Sequence, residues 1–208
     1  MNGESLFTGE GDDGTFVPFT DILFNALLGF AIMLFIAFAL IKPENKTGDI
    51  DVNAEFLITV TWPDNSPDDI DTYVRDPQDN IVWYNTLDRG LIHLDRDDRG
   101  EYLDEVMING KKVVFPLNQE TVSIRGIVPG EYTINVYEFL NPSKMTIPVS
   151  VKVEKLNPAV KVIYYESMNL THVGDEKTAV RFTLDEDGNV SDLNTIQDSL
   201  VEAVRAPK

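Results

Sequence analysis

An unbroken apolar segment, Ile22 to Ile41, limits what this chain can fold into more than any other feature. Its twenty residues carry no charge, and Asn25 is the one strongly polar side chain among them. At 1.5 Å per residue a helix of this length is about 30 Å long, which matches the hydrocarbon core of a bilayer. We therefore predict one transmembrane helix over residues 17–42.

A cleaved signal peptide is the other kind of N-terminal apolar segment. Signal peptides begin with basic residues and have an apolar region of about 7 to 15 residues. Met1 to Ile41 contains neither Lys nor Arg, and its apolar region is longer. We expect a retained anchor, with residues 1–16 as a tail before it and residues 43–53 as a polar linker after it.

The charges that flank this helix leave its orientation open. Lys42 and Lys46 follow it, whereas four acidic residues precede it. The positive-inside rule would then place the C-terminal domain in the cytoplasm, but two lysines are a weak bias and acidic residues contribute little.

The remaining residues, 54–208, have the pattern of an antiparallel β-sandwich. Short runs of alternating or β-branched residues are separated by turn sequences such as Asn109-Gly110 and Pro129-Gly130. Only the tail, Ser191 to Val204, has helical spacing, with Ser191 or Asp192 as its N-cap. We predict a mainly β fold with a short C-terminal helix and with strands at Glu55–Trp62, Ile70–Val74, Ile81–Tyr84, Lys112–Phe115, Thr121–Arg125, Glu131–Phe139, Met145–Glu154, Ala159–Tyr165 and Thr178–Leu184.

The composition excludes several functional classes. The net charge is −18, and no basic patch occurs that could bind the phosphates of a nucleic acid. There are no cysteines, and the two histidines, His93 and His172, have no metal-ligand spacing. No nucleophile elbow, phosphate-binding loop or dinucleotide fingerprint is present. We expect no enzymatic activity, no catalytic residue and no cofactor.

The segment from Asp64 to Glu105 is unusually acidic, with thirteen Asp or Glu residues against four arginines. Asp69 and Asp71 are two residues apart, so on a strand both face the same way, and converging carboxylates are what Ca²⁺ requires. Their segment, DDIDTYVRDP, resembles the DLDLHVxDP-like signature of extracytoplasmic β-sandwich modules. A solvated acidic face with turn-forming aspartates and arginine pairs explains the same composition. Because the EF-hand spacing is absent, we assign no metal site and leave calcium binding as an alternative, with the candidate residues Asp69, Asp71, Asp95 and Asp97.

Asp21 lies at the N-terminal end of the apolar segment. Steps of four residues from it pass through Asn25, Gly29, Met33 and Ala37, so the carboxylate shares a helix face with polar and small residues. Such a face suits packing against other helices better than contact with lipid. A charge at the bilayer centre costs about 2.5 to 3.5 kcal/mol on insertion scales, and such residues usually have a function. Alternatively, Asp21 caps the helix at the membrane edge.

The hexapeptide Phe19-Thr20-Asp21-Ile22-Leu23-Phe24 carries a resemblance that extends over residues 15–45. It resembles the start of the transmembrane helix in the B subunits of ion-driven 5:2 rotary motors, the ExbD, TolR and MotB group. In that family two B subunits pass through a pentamer of multi-spanning A subunits, and the aspartate alternately binds and releases a proton or sodium ion. The resemblance implies that Asp21 is the ion-translocating residue.

The same resemblance implies a homodimer in the bacterial inner membrane, with a cytoplasmic N-terminus, a periplasmic sandwich and an ExbB-, TolQ- or MotA-like partner. Asn25, as the only other strongly polar residue of the helix, favours protons as the ion. The acidic sandwich departs from the family's periplasmic domains, so the envelope target is not identified. Two alternatives remain: a membrane-anchored β-sandwich binding or adhesion module, with or without calcium, and a structural protein that dimerises through its sandwich.

Overall fold

The computed structural model describes residues 16–40, 54–100 and 105–206. The chain divides into two compact units, Met1–Asp51 and Val52–Lys208. The first contains the long helix α1, and the second contains every described strand and the short helix α2.

Helix α1, Phe16–Leu40, confirms the predicted N-terminal apolar helix. Its 25 residues extend about 37 Å at 1.5 Å per residue. The segment Phe19–Phe38 is long and apolar enough to cross a membrane. Pro18 lies in the first turn, where its missing N–H removes no intrahelical hydrogen bond. The side chains of residues 19–38 are exposed within this chain, so α1 does not form part of a folded core of its own unit.

The second unit is built from antiparallel strands in two sheets and a separate hairpin. The described strands are β1 (Phe56–Trp62), β2 (Asp69–Arg75), β3 (Ile81–Val82), β4 (Asp88–Arg89), β5 (Ile92–Arg96), β6 (Glu105–Ile108), β7 (Lys111–Val114), β8 (Asn118–Ile124), β9 (Gly130–Leu140), β10 (Ile147–Lys155), β11 (Lys161–Leu170), β12 (Glu176–Leu184) and β13 (Val190–Asn194). One sheet has the order β11-β10-β1-β8-β5-β4 and the other has the order β13-β12-β9-β2-β3. The hairpin pairs β6 with β7.

The hydrophobic core lies between these two sheets. Buried and half-buried side chains alternate along β1, which is the pattern of a strand with one face in the core. Phe56 of β1 meets Phe182 of β12 across the interface, with ring centroids 6.1 Å apart, and Tyr132 of β9 stacks on Phe182 at 5.5 Å. Val122 and Ile134 are fully buried in the same cluster. These contacts confirm the predicted antiparallel sandwich.

The C-terminal tail contains the predicted short helix, but the helix starts later than its spacing suggested. Helix α2 is Leu200–Arg205, and its N-cap is Ser199, whose Oγ accepts a hydrogen bond from the Glu202 amide at 3.1 Å. The predicted caps Ser191 and Asp192 are wrong, because both lie in strand β13, which pairs with β12.

Helix α2 is held by a second, smaller apolar cluster. Leu200 and Val201 are buried there with Tyr73, Ile81 and Tyr137 from the five-stranded sheet. Tyr73 and Tyr137 meet edge to face, with ring centroids 6.0 Å apart. This cluster is distinct from the core between the sheets, so α2 packs on another part of the five-stranded sheet.

Candidate functional site

Asp21 is the sixth residue of α1 and lies beyond the first helical turn. The helix begins five residues earlier at Phe16, so Asp21 does not occupy the N-cap position. It lies within the apolar span Phe19–Phe38, and it is exposed within this chain. The proposed ion-translocating role of Asp21 stays a prediction.

The helix face that continues from Asp21 is uncovered in the described part of the chain. A Cβ added at Gly29 would meet no atom within 4 Å, and Met33 is 70% exposed. Asn25, one turn beyond Asp21, and Ala37, further along the helix, are exposed as well. A second helix could therefore approach α1 closely along this face without a change in the chain.

Several carboxylates of the acidic segment have ordinary structural roles. Asp76 accepts hydrogen bonds at Oδ1 from the amides of Gln78 and Asn80, at 2.8 and 2.9 Å, and so holds the turn after β2. Asp95 of β5 pairs with Arg125 at 3.1 Å. For these residues the interpretation as turn-forming and arginine-paired aspartates is sufficient.

A second group of carboxylates converges on one place. Asp71 of β2, Asp97 in the loop after β5 and Glu120 of β8 each present one oxygen, and these three oxygens lie within 4.8 Å of one another. Asp69, two residues before Asp71, lines a cavity together with Asp71 and Asp97. We call Asp69, Asp71, Asp97 and Glu120 the carboxylate cluster. Three of its members were predicted candidates, whereas Asp95 is not part of it.

Glu120 reaches the cluster across the sandwich, from one sheet to the other. Strand β3 pairs only with Val74 and Arg75 of β2, which leaves the preceding part of that β2 edge without a strand partner among the described residues. The Thr72 amide of β2 donates instead to Oε2 of Glu120 at 2.6 Å. This bond fixes the carboxylate and leaves Oε1 to face its acidic neighbours.

Asp97 is positioned because its loop packs against the chain just before β2. Gly100 has a φ of +65°, a left-handed conformation that favours glycine. A Cβ at Gly100 would lie 2.8 Å from the carbonyl oxygen of Asp68, so a larger residue would push the loop away from the start of β2. Gly100 therefore permits the approach that places Asp97 beside Asp71.

Two further contacts hold the same loop. Asp98 is buried, pairs with Arg96 at 2.7 Å and accepts a hydrogen bond from the Gln119 amide at 3.1 Å. Arg99 donates from Nε to Oδ2 of Asp97 at 3.1 Å. The loop is thus tied to β8 next to Glu120, and one oxygen of Asp97 is already oriented by an arginine.

Burial and mutual repulsion disfavour the ionised form of these acids. Burial, followed by the charges of Asp69 and Asp97, raises the pKa of Asp71 to about 8. Burial and then the Asp97 charge raise the pKa of Asp69 to about 6, with Arg99 opposing. Burial also raises the pKa of Glu120 well above its usual range, although the hydrogen bond from Thr72 opposes the shift.

The hydrogen bonding of the cluster is incomplete. Four buried oxygens have no hydrogen-bond partner among the described residues: Asp69 Oδ1, Asp71 Oδ2, Asp97 Oδ1 and Glu120 Oε1. Asp71 is 3% exposed and Glu120 is 1% exposed, so solvent does not satisfy their oxygens freely. Buried polar atoms are nearly always hydrogen-bonded, and four exceptions in one place need a common cause.

A cavity of about 440 Å³ opens beside the cluster. Its lining combines acids, one arginine and apolar side chains, namely Asp69, Asp71, Tyr84, Asp97, Arg99, Phe139 and Leu140. Glu120 is not part of this lining, so it closes the cluster from the protein side. The cavity is large enough for several water molecules or a small ligand.

Glu120 is the functional candidate that sequence reasoning missed. It lies outside the acidic segment. Several residues of its strand are polar, so the sequence does not show plainly which side chains of that strand point into the core. The available signal was the alternation of β8, because Val122 and Ile124 face the core and Glu120 has the same parity. A glutamate on the inward face of a core strand requires a partner.

Comparisons of the chain with protein-family models, with curated proteins and with solved structures find no match. The resemblance of residues 15–45 to the B subunits of rotary motors therefore stays a prediction.

Proposed function

We propose that this chain is the B-type subunit of an ion-driven membrane motor, in which Asp21 binds and releases the translocated proton. The observation that carries the proposal is the place of Asp21 in α1, beyond the first turn and within the apolar span Phe19–Phe38. A carboxylate at this depth, on an uncovered face of a spanning helix, is suited to exchange protons with a partner subunit.

The energy that a charge releases on crossing the membrane and the cost of a charge inside the membrane are of the same order. An elementary charge that crosses 100 mV releases about 2.3 kcal/mol, and a charged side chain at the centre of the membrane costs about 2.5 to 3.5 kcal/mol on insertion scales. Asp21 is the third residue of the span Phe19–Phe38, so its ionised form costs less than at the centre, and protonation removes this cost. A polar group of the partner would stabilise the ionised form. The membrane potential can therefore shift the helix between two positions that differ in the protonation of one residue.

The partner in this proposal is a multi-spanning A-type subunit. Two copies of α1 would lie within a ring of five such subunits, with the face that holds Asp21, Asn25 and Gly29 against them. Small and polar residues on this face allow close helix packing, and the remaining Phe, Leu and Ile side chains fit an apolar surrounding.

The proposal requires a cytoplasmic N-terminus and a periplasmic sandwich in a bacterial inner membrane, against the weak bias of Lys42 and Lys46. A reporter fused after Lys208 tests this orientation. We expect signal from a reporter enzyme that works only in the periplasm. Signal from a reporter that works only in the cytoplasm would contradict the motor function.

Purification of the complex tests the proposed assembly. The chain, tagged at its C-terminus, is extracted from its native membranes in a mild detergent, and the mass and subunit ratio of the complex are measured. We expect two copies with five copies of one multi-spanning protein, both for the unaltered chain and for Asp21→Asn. Recovery of the chain without any multi-spanning partner would contradict the proposal.

The cavity beside Tyr84 and Phe139 favours a second candidate, a membrane-anchored binding module in which α1 is only a tether. Replacement of Ile22–Ile41 by an unrelated apolar segment of twenty residues, with Asp21 retained, distinguishes the two. A tether would keep its cellular phenotype with any such segment, whereas a motor subunit should lose it.

A further inference from the structure

We propose that the β-sandwich binds one divalent cation of the calcium class through Asp71, Asp97 and Glu120, with Asp69 as an additional carboxylate at the cavity wall. This site is independent of Asp21 and of the motor function. It takes up the calcium alternative, for which the sequence assigned no site because the EF-hand spacing is absent.

The spacing of the three oxygens fits such an ion. Calcium binds oxygen ligands at about 2.3 to 2.6 Å, so two oxygens on opposite sides of it are about 4.6 to 5.2 Å apart. The oxygens of Asp71, Asp97 and Glu120 lie within 4.8 Å of one another, and one ion can contact all three. Asp71 belongs to β2, Asp97 to the loop that follows β5, and Glu120 to β8. The three oxygens therefore reach a common point from different parts of the fold.

Two of the three carboxylates, those of Glu120 and Asp97, are each oriented by a hydrogen bond that leaves the other oxygen for the ion. The Thr72 amide holds Oε2 of Glu120, and the unpartnered oxygen is Oε1. Arg99 holds Oδ2 of Asp97, and the unpartnered oxygen is Oδ1. Hydrogen bonds of this kind fix the ligands of metal sites in their binding orientation. An acidic cluster used only for solubility would not need them.

The unpartnered oxygens are the independent reason to infer a ligand. Glu120 is 1% exposed and Asp71 is 3% exposed, and an oxygen of each lacks a hydrogen-bond donor in the described part of the chain. Ionised carboxylates that are buried and close together repel one another strongly. Arg99 offsets one of the four negative charges, and a divalent ion would bring the cluster close to neutrality.

The choice of cation follows from the ligands and their surroundings. All proposed ligand atoms are carboxylate oxygens, which suit Ca²⁺ and Mg²⁺ better than the softer transition metals. Three ligands leave several coordination positions, and the adjoining cavity of about 440 Å³ has room for the water molecules that would fill them. Mg²⁺ requires shorter bonds of about 2.0 to 2.1 Å in octahedral geometry, so we infer a preference for Ca²⁺.

Titration of the full chain in detergent micelles, after treatment with a chelator and its removal, tests the site. Calorimetry with CaCl₂ should show one binding site per chain, with weaker binding of MgCl₂, and the unfolding temperature should rise with the Ca²⁺ concentration. No heat of binding together with no change in unfolding temperature would overturn the proposal.

Three variants decide whether the cluster is the site. Glu120→Gln keeps the shape of the side chain and should weaken Ca²⁺ binding at least about tenfold. Asp97→Asn should also weaken Ca²⁺ binding at least about tenfold. Asp97 lies in a loop and is less buried than Glu120, so this variant should fold even if Glu120→Gln does not. Asp95→Asn is the matched control, because it removes a neighbouring carboxylate that pairs with Arg125 and should leave the affinity unchanged. Equal losses in Asp95→Asn and Glu120→Gln would overturn the assignment.

The Asp21→Asn chain separates this inference from the motor function. It retains the whole cluster, so it should bind Ca²⁺ with the affinity of the unaltered chain. A loss of Ca²⁺ binding in this variant would contradict a site formed by the sandwich alone.

Discussion

Asp71 experiences a strong conflict between burial and charge in the described sandwich. Asp69, Asp97 and Glu120 surround it with negative charge, and Arg99 is the cation that opposes them. In the absence of a bound cation, the carboxyl group can avoid this conflict only by remaining protonated. The protonation of Asp71 should therefore be coupled to the stability of the whole domain.

We expect the cation-free chain to lose stability as the pH rises from about 4 to about 8. The pKa of Asp71 rises from 3.8 in the unfolded chain to about 8 in the folded chain. The folded state therefore has its full stability with respect to this group below pH 3.8, where Asp71 is protonated in both states. That contribution to stability is lost as the pH rises through about 8. Each unit of pKa shift corresponds to about 1.4 kcal/mol.

Unfolding temperatures measured in chelator between pH 4 and pH 9 test this expectation. Trp62 and Trp83, the two tryptophans of the chain, both lie in the second unit, Val52–Lys208, which we call the β unit, and report its unfolding by fluorescence. Asp71→Asn cannot titrate and should show a weaker pH dependence. An unchanged pH dependence in this variant would contradict the account of Asp71.

Gly100 makes a second residue-scale prediction. Gly100→Ala should destabilise the chain by more than the roughly 1 to 2 kcal/mol of a left-handed alanine, because its Cβ would also lie 2.8 Å from the Asp68 carbonyl oxygen. Gly110→Ala is the control, since Gly110 has a similar φ of +74° and no atom within 4 Å of an added Cβ. Urea unfolding followed by fluorescence gives the free energy of unfolding of both variants. Equal losses of stability would show that the close approach of Gly100 to the Asp68 carbonyl oxygen is unimportant.

The sequence could supply part of the carboxylate cluster but not all of it. Asp69 and Asp71 share a parity on a strand, and this local rule correctly brings them to one side. Asp95 is not part of the cluster and pairs with Arg125, which directly follows β8, and a local pattern does not reveal this contact. Glu120 joins the cluster through pairing of distant segments, and only the tertiary fold brings it next to Thr72.

At the scale of elements, the long alternating strands were predicted, as were the short strands β3 and β7, whereas four strands were missed. Strand β1 runs through Phe56–Trp62 close to its prediction because one of its faces is entirely in the core. The unpredicted strands are short or lie at sheet edges and in the hairpin, where alternation is brief: β4, β5, β6 and β13. In such strands the pairing with neighbours, and not the local sequence pattern, determines the structure.

The C-terminal tail shows how helical spacing can arise without a helix. Leu193 and Ile196 match the spacing but are 47% and 65% exposed, whereas Leu200 is fully buried. The apolar positions of the tail therefore do not form one buried face. The chain enters the helix only after Ser199, which supplies the cap that the earlier residues do not.

We expect Leu200→Ala to destabilise the β unit by about 2 to 5 kcal/mol, because it removes a fully buried side chain from the cluster with Tyr73 and Tyr137. Ile196→Ala should change the free energy of unfolding by no more than about 0.5 kcal/mol, because its side chain is exposed. Urea unfolding measures both, and similar losses would contradict the packing described for α2.

At the scale of the whole molecule, the chain combines an apolar helix with an acidic β-sandwich. The two units have different chemical requirements, since the exposed side chains of residues 19–38 suit lipid or a membrane partner and the carboxylate cluster suits a hard cation. We propose that the first unit converts an ion gradient into motion and that the second unit, stabilised by a cation, engages a target in the cell envelope.

Proton flux through the purified complex tests the central claim most directly. The complex is reconstituted into lipid vesicles that contain a pH-sensitive dye, and a proton gradient with a membrane potential is imposed. We expect flux with the unaltered chain and with Asp13→Asn, which removes a carboxylate before the start of α1. Asp21→Asn should reduce the flux to the level of empty vesicles while the complex stays assembled. Flux through the Asp21→Asn complex equal to that of the unaltered complex would contradict the account.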